Sequence, residues 1–242
     1  YSTSTAAYET MSSPRLFADA TLLPNGKVVV LNGAKKGMPA GTIEGGGLAK
    51  EPNYQAVLYD PTLPPGRRFR DLASSSIHRF YHSNALLLPS GDVWVAGSEH
   101  GPDCRADCKT NPAPPAQEYR AELFQPPYAF FPRPTILSVS DTSPRLGETI
   151  TVRYRPSSQG GRVTGASIVT PGAHTHGLDM SSRVVFLEAL SISAGAGGGQ
   201  GGTATFALPS AASRVAMPGW YMLWVLEGDV PAKEAVWIQL RA

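Results

Sequence analysis

The chain repeats itself. A unit that begins near Leu16 recurs further along at a constant offset: Leu23-Pro24-Asn25-Gly26 matches Leu88-Pro89-Ser90-Gly91, and Lys27 to Gly33 matches Asp92 to Ser98. At the same offset, Ala56-Val57-Leu58-Tyr59-Asp60-Pro61 matches Ala121-Glu122-Leu123-Phe124-Gln125-Pro126. Each unit reads as short strands. Asp19 to Leu23 alternates weakly, Pro24-Asn25-Gly26 supplies a hairpin turn, and Lys27-Val28-Val29-Val30-Leu31 is a β-branched run of the buried type. A glycine-rich loop, Gly41 to Gly47, leads to a third strand at Gln55 to Tyr59, and Arg68 to Leu72 supplies a fourth.

Four short strands per unit with Pro-x-Gly hairpins is the pattern of a β-propeller blade. The period exceeds the roughly 50 residues of a kelch blade, and the loop between strands two and three accounts for the excess. A propeller closes with about four to eight blades, and this chain supplies about two. Two open blades would expose unpaired edges and apolar faces. The expectation is a piece of a larger propeller, its other blades lying outside this sequence. At the head of the units, one copy carries Leu16-Phe17, expected to be core side chains, and the other Tyr81-His82, two candidate metal ligands.

The second half reads differently. Pro132-Arg133-Pro134 marks a boundary, giving an expected partial propeller over residues 1–132 and a C-terminal domain over 133–242. Strands are predicted at Thr149 to Tyr154, Gly165 to Thr170, Arg183 to Leu187, Thr203 to Ala207, Trp220 to Leu226 and Ala235 to Leu240. That spacing indicates an immunoglobulin-like β-sandwich, so the fold class is all-β. Ser193 to Gly202 is almost all Gly and Ala, a hairpin loop with no helix behind it to cradle phosphate.

Composition excludes several classes. Charged residues are 17% of the 242, the net charge is +2, and 25 Gly and 22 Pro suit a turn-rich β protein. No basic stripe marks a nucleic-acid binder, Lys35-Lys36 and Arg67-Arg68 being isolated loop pairs. No apolar run reaches the roughly 18 residues of a membrane span. Tyr1-Ser2-Thr3-Ser4 has no signal-peptide character, although a leader removed upstream is compatible with it. Cys104 and Cys108, the only cysteines, suit a small disulfide loop better than a metal site, which points to an oxidising compartment.

Histidine carries the chemistry. Five are present: His78, His82, His100, His174 and His176. On an extended segment, His174 and His176 would face one side and could share a metal. Imidazole beside the Tyr81 phenol narrows the metal towards Cu or Fe. The plain alternative is packing plus a surface imidazole. No His-Glu-x-x-His or Gly-x-Ser-x-Gly is present, the glycine runs lack the strand-into-helix context of a Gly-x-Gly-x-x-Gly loop, and Asp103, Asp107, Glu118 and Glu122 read as scattered solvated charge.

Arg79-Phe80-Tyr81-His82-Ser83 followed by Leu86-Leu87-Leu88-Pro89-Ser90-Gly91 resembles the Arg-x-Tyr-His-Ser…Leu-Leu-Pro-Asp-Gly motif of the copper radical oxidases, the galactose oxidase and glyoxal oxidase family. Cys104 to Asn111 is similar to that family's Cys-x-x-Cys-Thr-Thr-Asn loop, with one residue more between the cysteines. Thr175-His176-Gly177-Leu178-Asp179-Met180-Ser181-Ser182-Arg183 resembles Thr-His-Ser-x-Asn-Met-Asp-Gln-Arg, and Pro218-Gly219-Trp220-Tyr221-Met222-Leu223 resembles Pro-Gly-Tyr-Trp-Met-Leu. Asn32 to Gly37 looks closer to glyoxal oxidases.

The resemblance implies the last blades of a kelch-like seven-bladed propeller followed by the immunoglobulin-like domain, in a secreted protein. It implies a Cu(2+) site held by Tyr81, His82 and His176, with Tyr81 as the axial phenolate and catalytic base. His174 matches no ligand and is expected in packing or around the site. The family's radical resides on a tyrosine crosslinked to a cysteine, both in earlier blades. Neither has a counterpart here, since Cys104 and Cys108 follow Tyr81-His82. The implied activity is oxidation of a small aldehyde or primary alcohol by O2, giving hydrogen peroxide, once an N-terminal propeller portion completes the site. By itself the chain is expected to be inactive. Two other classes compete: a non-catalytic extracellular or cell-wall propeller, and a carbohydrate-binding module built on aromatics such as Trp94 and Trp220, which read mostly as core or strand residues. If the Cys104–Cys108 disulfide forms, alkylation of the denatured, unreduced chain adds no mass, and two alkyl groups appear only after reduction.

Overall fold

The computed structural model describes residues 8–37, 49–98, 118–194 and 201–242. The Gly41–Gly47 loop, the Cys104–Cys108 loop with His100, and most of the Ser193–Gly202 loop lie outside the described residues. Among the described residues there is no α-helix, only two short 3-10 turns at Pro127–Phe130 and Ala211–Ser213.

The first unit contains β1 (Asp19–Leu22), β2 (Val28–Leu31), two short arms β3 (Ala34–Lys36) and β4 (Lys50–Pro52), then β5 (Gln55–Tyr59) and β6 (Phe69–Ser74). Strands β1-β2-β5-β6 form an antiparallel four-stranded sheet, as the repeat pattern requires. The second unit contains β7 (Asn84–Leu87), β8 (Val93–Ala96) and β9 (Glu122–Phe124), in that sheet order. Both units turn alike between their first two strands. Gly26 (φ 78°) donates to Leu23 O at 2.9 Å, and Gly91 (φ 83°) to Leu88 O at 2.8 Å. Positive φ makes glycine the natural occupant.

The repeat extends to a side chain that the pattern of apolar residues did not reveal. Arg15 Nη1 donates to Asn32 O at 2.7 Å and Nη2 to Gln55 O at 2.5 Å. Arg79 Nη1 donates to Gly97 O at 2.8 Å and Nη2 to Arg120 O at 2.9 Å. Asn32 and Gly97 occupy equivalent positions of the two units, as do Gln55 and Arg120, so each arginine ties the end of strand two to the start of strand three. Arg79 is also paired with Glu122 at 3.0 Å. Glu118 is buried against Arg120 at 2.6 Å, which holds its carboxyl down at about 2. Glu118 and Glu122 are therefore structural ion-pair partners, not solvated charge.

The two units differ at one edge. In the first sheet, β6 covers β5, and Leu58 is 5% exposed. Its counterpart Leu123 on β9 is 59% exposed, because among the described residues β9 pairs only with β8.

The C-terminal half contains β10 (Thr135–Val139), β11 (Thr149–Arg155), β12 (Gly165–Val169), β13 (His174–Thr175), β14 (Leu178–Asp179), β15 (Val184–Ser193), β16 (Gly202–Ala207), β17 (Gly219–Glu227), β18 (Val230–Pro231) and β19 (Val236–Leu240). Strand β10, the short β18 and the small β13–β14 hairpin add to the predicted set. The two layers are one curled sheet. Val184 to Leu187 of β15 pair with β12, whereas Glu188 to Ser193 pair with β16. A strand that changes layers is how such sheets turn a corner. Ile150, Val152, Tyr154, Phe206, Ile168, Leu223 and Ile238 fill the core.

The halves dock through the blade turns. Phe186, Ser167 and Trp224 lie directly opposite one another across β15, β12 and β17. Ser167 Oγ donates to Pro24 O at 2.6 Å. A Cβ on Gly26 would meet the Phe186 ring at 2.8 Å, and one on Gly91 would lie 3.5 Å from Trp224. Ala235 N donates to Pro89 O at 2.8 Å, and Lys27 bridges Asp60 and Asp229 at 2.9 and 2.6 Å. Trp224 is buried at this junction, while Trp94 and Trp220 are exposed; Trp94 occupies the outward position of the alternating strand β8. The edge difference is testable by urea unfolding. Leu58→Ala is expected to cost about 2–5 kcal/mol, and Leu123→Ala within about 0.5 kcal/mol of zero.

Candidate metal centre

His82 sits in the left-handed region at φ 59°, a conformation uncommon for a residue with a side chain. Its repeat counterpart Phe17 has φ 53°. The conformation thus belongs to the blade and was not created for chemistry at His82. Gly97 lets the backbone pack closely here: a Cβ on it would lie 2.7 Å from His82 O.

His176 is presented by a different device. Thr175 pairs with Leu178, leaving His176 (φ 53°) and Gly177 (φ 75°) as a two-residue hairpin loop. Positive φ at both positions is the signature of a type I′ turn. The imidazole therefore stands at the tip of a tight hairpin that lies along β1 and β7. Because the turn begins at His176, His174 and His176 do not share one face of an extended strand. The extended geometry that would let the two share a metal is not formed, because of that turn.

The structure brings Tyr81, His82 and His176 together. His82 Nε2 and His176 Nε2 are 3.4 Å apart with rings nearly perpendicular at 87°. Tyr81 stacks on His82 with ring centroids 3.8 Å apart and meets His176 edge-on at 5.6 Å. Thr175 Oγ1 is 2.6 Å from His176 Nδ1. With that nitrogen protonated and bonded to the hydroxyl, Nε2 presents its lone pair, the usual way an outer partner orients a ligating imidazole. Imidazole nitrogens bind divalent metals at about 2.0 Å, so two of them 3.4 Å apart fit one ion. Among the described residues no group of three His, Cys, Asp or Glu side chains is arranged to hold a metal ion; the donor set is two imidazoles and a phenol. That set suits copper or iron better than calcium or magnesium.

Leu16 and Phe17 are only partly buried, and the Phe17 ring lies 5.4 Å from that of Tyr81. The expectation that this pair fills the core gives way to a different role for Phe17, packing against the candidate centre. Three polar residues also escaped the sequence reading. Asp19 Oδ2 accepts from Asn32 Nδ2 at 2.7 Å and from Ser83 Oγ at 3.0 Å. Its Oδ1 faces His174 Nδ1 at 3.7 Å, and His174 Nε2 lies 3.2 Å from Asp179 Oδ2. Asp19 above all, with Asp179, raises the His174 pKa, although burial pulls the other way. The available signal was an acid at an inward position of β1, in step with Thr21 and Leu23. Ser83 and Thr175 gave no signal beyond their place beside a histidine.

Two family models divide the chain: that described as glyoxal oxidase N-terminus matches residues 2–128, and that described as galactose oxidase-like, early set domain matches residues 133–240. An aldehyde oxidase, GLOX1, of Arabidopsis thaliana is 33% identical over 96% of this chain and 37% of its own length. A galactose oxidase of Gibberella zeae is 29% identical over 88% of this chain and 27% of its own length. The structure of a fungal alcohol oxidase of the AA5 family in complex with copper superposes with a TM-score of 0.71, at 28% identity, covering 96% of this chain and 43% of that one. The chain thus spans well under half the length of these relatives. With propeller-type sheets, a β-sandwich and a matching model over each half, the chain belongs to the glyoxal oxidase and galactose oxidase family, the copper radical oxidases.

Proposed function

We propose that this chain contributes a copper site to an oxidase that converts a small aldehyde, as its hydrate, or a primary alcohol with O2, releasing the oxidised product and hydrogen peroxide. The observation that carries this is the convergence of Tyr81 and His82 from the blade junction with His176 from the sandwich hairpin, the two Nε2 atoms 3.4 Å apart. Names of relatives support the class: an aldehyde oxidase, a galactose oxidase and a copper-bound alcohol oxidase.

In this reading His82 Nε2 and His176 Nε2 hold the ion, and the Tyr81 oxygen completes the chain's contribution. Bound copper would supply one-electron redox chemistry. The Tyr81 phenolate oxygen would accept the hydroxyl proton of the substrate, a general-base role for a group at the metal. Two-electron oxidation needs a second one-electron carrier, which we assign to a Cys-Tyr crosslinked radical on a propeller portion outside this chain. The outer edge of β9, which has no partner strand among the described residues, supports such a portion. A groove of about 670 Å³ runs beside it, lined by Arg70, Leu72, Leu123, Phe124, Phe130 and Phe131, where a fourth strand would complete the second sheet. The domain division is placed at residues 132 and 133, supported by the gap between the two family-model matches. Secretion and the Cys104–Cys108 disulfide belong to the same reading, as do the seven-bladed ring and its kelch-like blades. No helix among the described residues is long and apolar enough to cross a membrane.

Titration of the purified chain with Cu(II) is expected to give one site whose electron paramagnetic resonance spectrum shows two coupled nitrogens. His82→Ala and His176→Ala should each weaken binding at least about tenfold and leave one nitrogen; unchanged spectra in both variants would sink the assignment. The copper-loaded chain alone is expected to release no peroxide from aldehydes or primary alcohols. Turnover by the isolated chain would refute the need for a radical supplied from outside.

A further inference from the structure

We propose that Asp19 and His174 are a positioning pair that sets the separation of the two metal-binding imidazoles. This rests on the reading that His82 and His176 hold one ion. The two ligands reach the site on separate pieces of chain, and the Asp19 carboxylate touches both. One oxygen accepts from Ser83 Oγ at 3.0 Å, the residue after His82. The other faces His174 at 3.7 Å, two residues before His176. Asn32, at the end of β2, donates to the first oxygen at 2.7 Å, so the carboxylate is fixed to the blade.

The far side of His174 is equally constrained. Asp179 pairs with it across the hairpin, its Oδ2 3.2 Å from the ring. Asp179 Oδ1 accepts from Ala173 N at 3.1 Å and Ser181 N at 3.0 Å, tying the two ends of the hairpin together. His174 is thus the peg between a rigid hairpin and the blade. Its side chain is 2% exposed and that of Asp19 is 1% exposed. Taking an imidazole and a carboxylate out of water is unfavourable unless each has a partner. An apolar pair of equal volume would serve stability as well. What a polar peg adds is one defined placement for the hairpin, and with it the tip imidazole of His176. The contacts are made without aligned hydrogen bonds, since Asp19 Oδ1 and both His174 nitrogens lack hydrogen-bond partners.

The test uses the full 242-residue chain and Cu(II) alone. Affinity is measured by chelator competition, nitrogen coupling by electron paramagnetic resonance, and folding by circular dichroism. His174→Phe and Asp19→Asn are each expected to weaken copper binding about 10–100-fold, the range for residues that orient a ligand. Both should also distort or lose one of the two nitrogen couplings. The double variant Asp19→Asn with His174→Gln, which restores a neutral complementary pair, is expected to recover most of the affinity. Val152→Ala, in the sandwich core, should lower stability without changing the spectrum. Wild-type affinity and spectrum in the single variants would overturn the proposal, as would a spectrum in Val152→Ala that changes as theirs does. A wild-type chain that takes up no copper through His82 and His176 would remove the underlying reading and this one together.

Discussion

Everything at the candidate centre depends on how the two blade turns seat on the sandwich. The turns at Pro24–Gly26 and Pro89–Gly91 meet a row formed by Phe186, Ser167 and Trp224 on three neighbouring strands. Ser167 is fully buried, so its hydroxyl must find an acceptor, and Pro24 O is that acceptor. The contact fixes register as well as distance, because a serine one strand position away would point to the opposite face. The β13–β14 hairpin that leaves β12 then has a set direction, along β1 and β7, and its tip arrives at His82. Strand β17 shows the consequence in sequence. Tyr221 to Leu226 are all buried, since this strand is covered on both sides.

Much of this was legible beforehand, and the reasons differ by residue. The strands of the first unit follow from alternation and β-branching in Val28 to Leu31, and the turns from glycines that adopt positive φ, Gly26 and Gly91. Tyr81, His82 and His176 were found through a match to family motifs, and the structure brings the three rings together. Local spacing misled at His174: an alternating His-x-His implies a common face only if the chain stays extended, and Gly177 bends it. Long-range polar partners were invisible. Nothing near Asp19 in sequence announces Ser83 or His174, which belong to the next blade and to the sandwich hairpin. The arginine tie escaped for a related reason. Arg15 directly precedes Leu16, whereas Phe80 intervenes between Arg79 and Tyr81. That insertion breaks the register of the repeat just where the tie begins, although the carbonyls the two arginines grip stay in step.

The repeat also shows how little backbone change separates a plain blade from one carrying a ligand. Phe17 and His82 share a left-handed conformation at equivalent positions of the two units. Residues in that region are strained by about 1–3 kcal/mol, and both copies bear it whether or not the side chain binds anything. The difference between the copies is therefore one of side chains, Leu16-Phe17 against Tyr81-His82, on the same peptide geometry.

The hairpin tip has a mechanical meaning. His176 grows from the sandwich and His82 from the blades, so a single ion held by both would be a rivet through the domain junction. Ligand bound only by the joined form stabilises it by mass action, about 2.7 kcal/mol at a hundredfold excess over the dissociation constant. Prising the halves apart and releasing the ion then become one equilibrium. A chelator would loosen the junction, and any strain that opens the junction would shed the ion.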